Sequence, residues 1–204
     1  MIGQPLINVL IRNKYRPELL GRCLHSVREQ TIVKNLNVII CCDSEEARKD
    51  AEKQTENDSF NVRIIDAEID RNYPFYWNLY SNQLKNLVNE GWFLFLDNDD
   101  FLFSRLSLET ISTKLTNPEE GVICQMLRKG RPKPPQDFIE NKKIVKGKIG
   151  APCLFLHHSK NNIANWDGYK AADYRWIKDV EKVLTLKFEP IVVVRTGNNG
   201  LKGQ

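Results

Sequence analysis

Four short apolar runs alternate with helix-type segments over the first 100 residues, and this alternation restricts the fold more than any other feature of the chain. The runs are 6–11, 37–42, 62–65 and 92–96. Each has the length of a strand, and the last is apolar throughout, as in strands buried on both faces. Strands that alternate with helices favour a mainly parallel sheet covered by helices on both faces. The sequence therefore predicts a single Rossmann-like α/β domain.

Local signals support these elements. Pro17 is a typical first residue of a helix, and Ser44 is well placed to cap a helix over 45–54. We expect further helices at 76–89, 104–115 and 172–184, and further strands at 122–127, 152–157 and 189–195.

Polar side chains directly follow the predicted strands. Parallel strands end at one edge of a sheet, and ligands bind outside that edge. The residues gathered there are Arg12, Asn13, Asp43, Asp66 and Asp97 to Asp100. Asp97 and Asp99, at i and i+2 on an extended backbone, can direct two carboxylates at one Mg²⁺ or Mn²⁺, whose other ligands are commonly phosphate and water. Alternatively, the acids form a solvated turn that caps the next helix.

The sequence lacks two common phosphate-binding motifs, G-x-x-x-x-G-K-[ST] and G-x-G-x-x-G after the first strand. A diphosphate would then be neutralised by the metal and by mobile basic side chains. Such side chains are concentrated in the segment 128–148, where only Asp137 and Glu140 are acidic. We interpret this segment as a long mobile loop that attracts phosphate or makes peripheral contact with an anionic membrane surface.

Bulk properties narrow the function classes. The net charge of +4 is too small to indicate nucleic-acid binding. No apolar run approaches the roughly 18 residues of a membrane span. The five cysteines are an odd number, and Cys41 and Cys42 are neighbours in an apolar run. This pattern favours reduced, buried thiols and a cytoplasmic location.

The order of the motifs resembles family 2 glycosyltransferases of the GT-A fold. The similar stretches are 5–17, 20–31, 38–44, 96–100 and 172–174. Leu96-Asp97-Asn98-Asp99-Asp100 resembles the family's Leu-Asp-Ser-Asp-Asp motif, and Ala172-Asp173-Tyr174 resembles its Glu-Asp-Tyr element. The chain departs from the family pattern at Cys42 and at Ala172, where the family often has acids.

The resemblance implies a nucleotide-sugar donor, usually a UDP-sugar. Asp43 would contact the uracil or ribose, and Arg12 or Asn13 would line the same pocket. Asp97 would lie near the ribose and the metal, and Asp99 would be the principal metal ligand. Asp66 and Arg195 are further donor-binding candidates, the latter as a diphosphate clamp.

The resemblance also implies an inverting transfer to a hydroxyl of a saccharide or glycolipid acceptor. Asp173 would act as the general base, with Asp167 and Asp179 as alternatives. We expect residues 1–103 to bind the nucleotide sugar and residues 104–204 to bind the acceptor. The acceptor-side candidates are Trp166, Tyr169 and His157.

Other functions fit parts of the sequence. A non-catalytic nucleotide-sugar-binding protein would use the same edge of the sheet without turnover. A haloacid-dehalogenase-type phosphotransferase usually has its Asp-x-Asp on the first strand, whereas here the motif follows the fourth. A nucleotidyltransferase would show a glycine-rich basic loop after Ile11, which the sequence lacks.

Overall fold

The computed structural model of the chain describes residues 4–68 and 70–197. Within these residues it has nine strands and six α-helices. The strands are β1 (Ile7–Asn13), β2 (Leu36–Cys42), β3 (Asn61–Asp66), β4 (Trp92–Asp97), β5 (Phe101–Leu102), β6 (Glu120–Arg128), β7 (Arg131–Lys133), β8 (Leu154–His157) and β9 (Thr185–Arg195). The helices are α1 (Pro17–Arg28), α2 (Glu45–Thr55), α3 (Tyr80–Asn86), α4 (Ser107–Ser112), α5 (Gln136–Glu140) and α6 (Ala172–Glu181).

The first half of the chain forms the parallel part of the sheet. Strands β3, β2, β1 and β4 lie side by side in this order, and each pair is parallel. Helix α1 begins at Pro17, where the missing N–H costs no hydrogen bond. The Ser44 hydroxyl accepts a hydrogen bond of 3.2 Å from the Ala47 N–H, which confirms the expected cap of α2.

The second half adds mainly antiparallel strands. β8 is antiparallel to β4, β6 is antiparallel to β8, and β5 is antiparallel to β9, while β9 is parallel to β6. The full order is β3-β2-β1-β4-β8-β6-β9-β5, with β7 also paired to β6. The expected fold class, a single α/β domain, is confirmed, and its sheet is mixed.

Segment 128–148 is not the continuous loop that its composition predicts. β7 pairs with the end of β6 in a hairpin, and α5 follows directly after Pro135. The two turn residues, Lys129 and Gly130, have φ of 50° and 73°, as tight two-residue hairpins require. Ile139 and Ile144 are buried and anchor the segment to the core. The basic side chains therefore sit on a defined surface.

Three predicted helices are shorter than expected. The helix expected over 104–115 is limited to α4, Ser107–Ser112. The helix expected over 76–89 is a 3₁₀ turn at Tyr76–Leu79 followed by α3, and the helix expected over 172–184 ends at Glu181. In the expected strand 152–157, the first residues form a 3₁₀ turn, Ala151–Cys153.

An aromatic cluster joins β4 to α6 in the core. The rings of Trp166 and Trp176 stack at a centroid distance of 5.1 Å. The Phe95 ring meets both edge-to-face, at 5.4 Å and 5.3 Å. Such pairs add about 0.5–1.5 kcal/mol each beyond the burial of their area. We call Trp166 and Trp176 the tryptophan stack.

The cysteines and helices agree with the expectations from composition. All five cysteines are buried and free of disulfide bonds. Among the described helices, none is long and apolar enough to cross a bilayer.

Candidate active site

The carboxyl ends of β1, β2 and β4 meet at one edge of the sheet. In the parallel register, Arg12 lies beside Asp97 and Asn13 lies beside Cys42. Asp43 follows β2, and its N–H donates a hydrogen bond of 3.1 Å to the Asn13 carbonyl. The strand pattern alone therefore brings these residues together.

An ion pair between neighbouring strands orients the first carboxylate of the acidic motif. Arg12 Nε and Nη2 both lie 2.7 Å from Asp97 Oδ1. Arg12 is itself held by a hydrogen bond of 3.2 Å from Nη1 to Asn78 Oδ1, and its guanidinium lies 5.2 Å from the Trp166 ring centroid. Asp97 Oδ2 forms no hydrogen bond with the described residues and remains available to a ligand.

The two asparagines at this edge have structural contacts. Asn98 Nδ2 donates hydrogen bonds of 2.8 Å to Asn13 Oδ1 and 2.6 Å to the Lys14 carbonyl. Asn13 Nδ2 donates in turn to the Ala47 carbonyl, at 3.3 Å. Because both side chains are buried, these bonds fix the turn that carries Asp97 and Asp99.

The remaining two acids of the motif differ in exposure, since Asp99 is partly buried and Asp100 is buried. Burial, and then the nearby charge of Asp97, raise the pKa of the Asp99 carboxyl. Asp100 is 5% exposed, and burial followed by the charges of Asp97 and Asp99 raises its pKa well above its usual value. Asp100 accepts hydrogen bonds from the N–H groups of Asp97 and Gly197, at 3.3 Å and 3.2 Å. Asp100 therefore stabilises the backbone at Asp97 and Gly197.

The acids form no complete metal cage. Among the described residues, no three His, Cys, Asp or Glu side chains converge as ligands for one ion. Two carboxylates are nevertheless sufficient for Mg²⁺ or Mn²⁺ when phosphate and water supply the other ligands. Asp97 Oδ2 and the Asp99 carboxylate are oxygen donors of the right kind, and a cation there would offset their mutual repulsion.

A cleft of two chambers opens above this edge. The first, which we call the aromatic chamber, has a volume of about 350 Å³. Its lining comprises Arg12, Asn13, Lys14, Arg16, Asp43, Tyr76, Trp77, Tyr80, Asp97, Asn98 and Asp99. The Tyr80 hydroxyl is buried and has no hydrogen-bond partner among the described residues. Burial raises the pKa of Asp43 at the opposite wall.

The second chamber has a volume of about 330 Å³ and contains Asp173, after which we name it. Arg12, Asp97 and Asp99 line both chambers and therefore lie at the boundary between them. The lining of the Asp173 chamber also includes Arg128, Lys129, Trp166, Thr196 and Gly197, among others.

Asp173 lies in the first turn of α6. The preceding Ala171 has the left-handed conformation, with φ 62° and ψ 37°, which is uncommon for a residue with a side chain. Asp173 Oδ1 accepts a hydrogen bond of 2.8 Å from the Tyr174 N–H. Burial raises the pKa of Asp173, and the charges of Arg12 and Arg128 partly oppose this. A desolvated carboxylate of this kind is suited to accept a proton.

The alternative bases lie in less suitable surroundings. Asp167 forms a two-pronged ion pair with Arg175, at 2.6 Å and 2.5 Å, and these hydrogen bonds lower its pKa. Asp179 pairs with Lys182 at 2.7 Å. Neither carboxylate lines the two chambers.

Three predicted site residues lie elsewhere. His157 pairs with Trp92, at the start of β4, whereas Asp97 is at its end, so the acceptor-side prediction for His157 is wrong. Asp66 is exposed, binds Arg48 at 2.6 Å and lies outside both chambers.

Arg195 is exposed, lies over the Phe101 ring at 5.8 Å and lines neither chamber, although Thr196 and Gly197 next to it line the Asp173 chamber. Its role as a diphosphate clamp stays a prediction. Of the two other acceptor-side candidates, Trp166 is 3% exposed and lines the Asp173 chamber, whereas Tyr169 is 54% exposed and lies outside it.

The structure adds residues that sequence analysis did not assign to the site. Tyr76, Trp77 and Tyr80 line the aromatic chamber. From the sequence, the aromatic group Tyr73, Phe75, Tyr76 and Trp77 can either stack on a sugar or base or pack at the start of a helix, and packing is the simpler interpretation. Arg128 and Lys129 line the Asp173 chamber. The excess of basic residues in 128–148 was the available signal for the latter pair.

No protein-family model and no curated protein matches the chain. Solved structures do share its fold. Residues 1–349 of S. aureus TarS superpose with a TM-score of 0.72 at 13% identity, over 95% of this chain and 60% of that one. The same fragment in complex with UDP-GlcNAc gives a TM-score of 0.68 at 16% identity, over 93% and 58%.

A third match is the mannosyltransferase PcManGT from Pyrobaculum calidifontis in complex with GDP-Man and Mn²⁺. Its TM-score is 0.74 at 14% identity, over 98% of this chain and 59% of that chain. The chain therefore has a GT-A-like glycosyltransferase fold. It spans about three fifths of the length of these solved structures.

Proposed function

We propose that the chain transfers a sugar from a UDP-sugar to a hydroxyl of a saccharide or glycolipid, with inversion and with dependence on Mn²⁺ or Mg²⁺. One observation carries this proposal. Asp97 and Asp99 lie at the boundary of two chambers, of which one is aromatic and the other contains the buried carboxylate of Asp173. A nucleotide and an acceptor can thus approach one point from two sides.

The aromatic chamber is proposed to bind the nucleoside. Tyr76 and Trp77 offer ring surfaces for the base, and Asp43 offers a polar contact. Every residue that lines this chamber belongs to 1–103, which supports a donor-binding role for that half. The nucleotide sugars in the structures of similar fold, UDP-GlcNAc and GDP-Man, agree with this assignment.

Asp97 and Asp99 are proposed to hold the metal. When bound, the metal would stabilise negative charge on the departing diphosphate. Arg12 keeps one Asp97 oxygen in place, so the other is directed to the cleft. The PcManGT complex with Mn²⁺ supports the choice of a divalent cation.

Asp173 is proposed to accept the proton of the acceptor hydroxyl. The freed oxygen forms a bond to the anomeric carbon, while the bond from that carbon to the diphosphate oxygen breaks. Its electron pair leaves with the nucleoside diphosphate. Asp173 lines the chamber that the nucleoside does not occupy in this proposal. Attack from that chamber would come from the side opposite the leaving group, and we therefore propose inversion of the configuration.

Calorimetry with UDP, in the presence and absence of Mn²⁺, tests the donor and metal assignments. We expect binding to wild type that depends on Mn²⁺, and weaker binding of GDP. Absence of metal-dependent UDP binding would contradict the proposal. Release of UDP from a UDP-sugar by the wild type then separates an enzyme from a nucleotide-sugar-binding protein.

A further inference from the structure

A second concave surface lies next to the Asp173 chamber and has a volume of about 920 Å³. Five of its lining residues are cationic, and none is acidic. The lining comprises Arg128, Lys129, Arg131, Lys133, Lys148, Pro132, Pro135 and Gln136. We call this surface the basic groove.

The cations of the groove are not paired with acidic side chains of the described residues. Among the described residues, none of the five cations forms an ion pair, whereas other basic side chains such as Arg48 and Lys160 do. The two acids of segment 128–148 do not line the groove. The groove therefore presents concentrated charge to a ligand.

The β6–β7 hairpin forces these charges together. Arg128 lies directly opposite Arg131, and cross-strand partners project from the same face of a sheet. Like charges in this position destabilise a hairpin. Burial lowers the pKa of Lys133, with further contributions from Arg128, Lys148 and Lys129. A bound anion would reduce the repulsion between Arg128 and Arg131 and would favour the charged form of Lys133.

The two walls of the groove are connected. Lys133 Nζ donates a hydrogen bond of 3.0 Å to the Gly147 carbonyl. Gly147 precedes Lys148, so this bond holds the second wall beside the hairpin. The cations are thus positioned by the fold and not only by composition.

The basic groove is continuous with the proposed active site. Arg128 and Lys129 line both the groove and the Asp173 chamber. Arg128 is also near enough to Asp173 to lower the pKa of that carboxyl. Arg131, Lys133 and Lys148, in contrast, line only the groove.

We propose that the basic groove binds a phosphate group carried by the acceptor, next to the hydroxyl that Asp173 deprotonates. This inference rests on the proposed function, because it names the class of acceptor. The guanidinium and ammonium groups of the groove can donate short, charge-assisted hydrogen bonds to phosphate oxygens. The donor diphosphate is a less suitable occupant, since Arg131 and Lys148 lie beyond the chamber that contains the metal-binding acids.

A membrane surface fits this groove less well. The basic side chains line a concave surface, which a flat layer of headgroups cannot fill. Of the exposed large apolar side chains in the described residues, only Val145 lies in segment 128–148. The groove therefore lacks the apolar residues that insert into a bilayer.

The test compares two double variants of equal charge. Arg131→Gln with Lys148→Gln alters the groove, and Lys143→Gln with Lys146→Gln removes two charges from the same segment outside it. The probe is linear polyphosphate in metal-free buffer, measured by calorimetry. We expect the groove variant to bind at least about 10-fold more weakly than wild type and the control to change by less than about 2-fold. Equal weakening in both variants would show a net-charge effect and overturn the proposal.

Two further measurements identify the source of the phosphate. The affinity for UDP with Mn²⁺ should be the same in wild type and in the groove variant. A parallel loss of UDP affinity would assign the groove to the donor. Binding of wild type to phosphatidylcholine vesicles that contain phosphatidylserine, lost in the groove variant but not in the control, would assign it to a membrane. Failure of wild type to bind UDP, with polyphosphate binding intact, would overturn the proposed function but leave the anion site standing.

Discussion

Replacement of Asp173 by asparagine tests the proposed base with little disturbance of the fold. The amide has nearly the same size, and its oxygen can still accept the hydrogen bond from the Tyr174 N–H, which is 2.8 Å long in the native chain. The start of α6 is therefore preserved. What the variant loses is the ability to take a proton.

The expected loss follows from the position of the carboxylate. General base catalysis contributes about 10²- to 10⁴-fold to a rate. Burial makes Asp173 a stronger base than a solvated aspartate, so we expect a fall in kcat of about 10³-fold, or ~4 kcal/mol in activation free energy. The affinity for UDP with Mn²⁺ should stay within about 2-fold, because Asp173 does not line the aromatic chamber.

The pH dependence gives an independent signature. The base must be ionised, so activity falls as the pH drops through the pKa of Asp173. Burial raises that pKa, which places the acid limb of kcat/KM above the usual value of about 4 for aspartate. Because the charge of Arg128 lowers this pKa, Arg128→Gln should move the acid limb to higher pH.

Initial rates of UDP release, followed by a coupled assay, measure these effects. The controls are Asp167→Asn and Asp179→Asn, whose carboxylates lie outside both chambers. Both should retain kcat within about 3-fold, although loss of the Arg175 ion pair in the first can cost up to about 1 kcal/mol of stability. An Asp173→Asn variant with wild-type turnover would remove this residue from the base role. A large loss of kcat in Asp167→Asn alone would assign the role of general base to Asp167.

Other substitutions test the donor side. Asp99→Asn should abolish the Mn²⁺-dependent part of UDP binding in calorimetry, whereas Asp66→Asn should not change it; equal losses would contradict the metal assignment. Trp77→Ala should weaken UDP binding by about 1–3 kcal/mol if a base stacks on its ring, compared with the exposed Phe103→Ala as control. A Cβ at Gly197 would lie 2.3 Å from the Asp99 carbonyl oxygen, so Gly197→Ala should lower the free energy of unfolding by about 1–3 kcal/mol and weaken Mn²⁺ binding, as measured by denaturant titration and calorimetry. An unchanged denaturation midpoint would refute this close approach.

The sequence predicts the parallel half of the fold well. Runs such as 37–42 and 92–96 are apolar at nearly every position, and only strands buried on both faces require this. Once these strands are parallel, the positions of Arg12, Asn13 and Asp43 at one edge follow from topology. The gathering of these residues beside Asp97 could therefore be predicted without a structure.

The second half was less predictable because its pairing is non-local. A short run such as 154–157 gives no signal of strand direction, and its partners β4 and β6 are distant in the chain. His157 was placed near the site because it follows a strand. In an antiparallel strand, however, the carboxyl end lies at the opposite edge of the sheet. His157 is therefore beside the start of β4 and not beside Asp97.

The aromatic chamber was missed for a different reason. Aromatic residues at the start of a predicted helix are usually packing residues, and the sequence does not show that Tyr76 and Trp77 lie in a 3₁₀ turn, with Tyr80 at the start of α3, beside the cleft. The composition of 128–148 suggested a loop, because Pro and Lys weigh against regular structure. The buried Ile139 and Ile144, and the Lys129-Gly130 turn, outweigh that tendency.

The tryptophan stack has a consequence for how the two sides of the cleft can evolve. One member, Trp166, lies beside Arg12, and the other, Trp176, belongs to α6, which also carries Asp173. The separation between the proposed metal ligands, Asp97 and Asp99, and the proposed base thus depends on the size of buried rings. Substitutions in surface loops can alter which substrates bind while this spacing stays the same. We therefore expect the type of reaction to change less during evolution than the choice of sugar or acceptor.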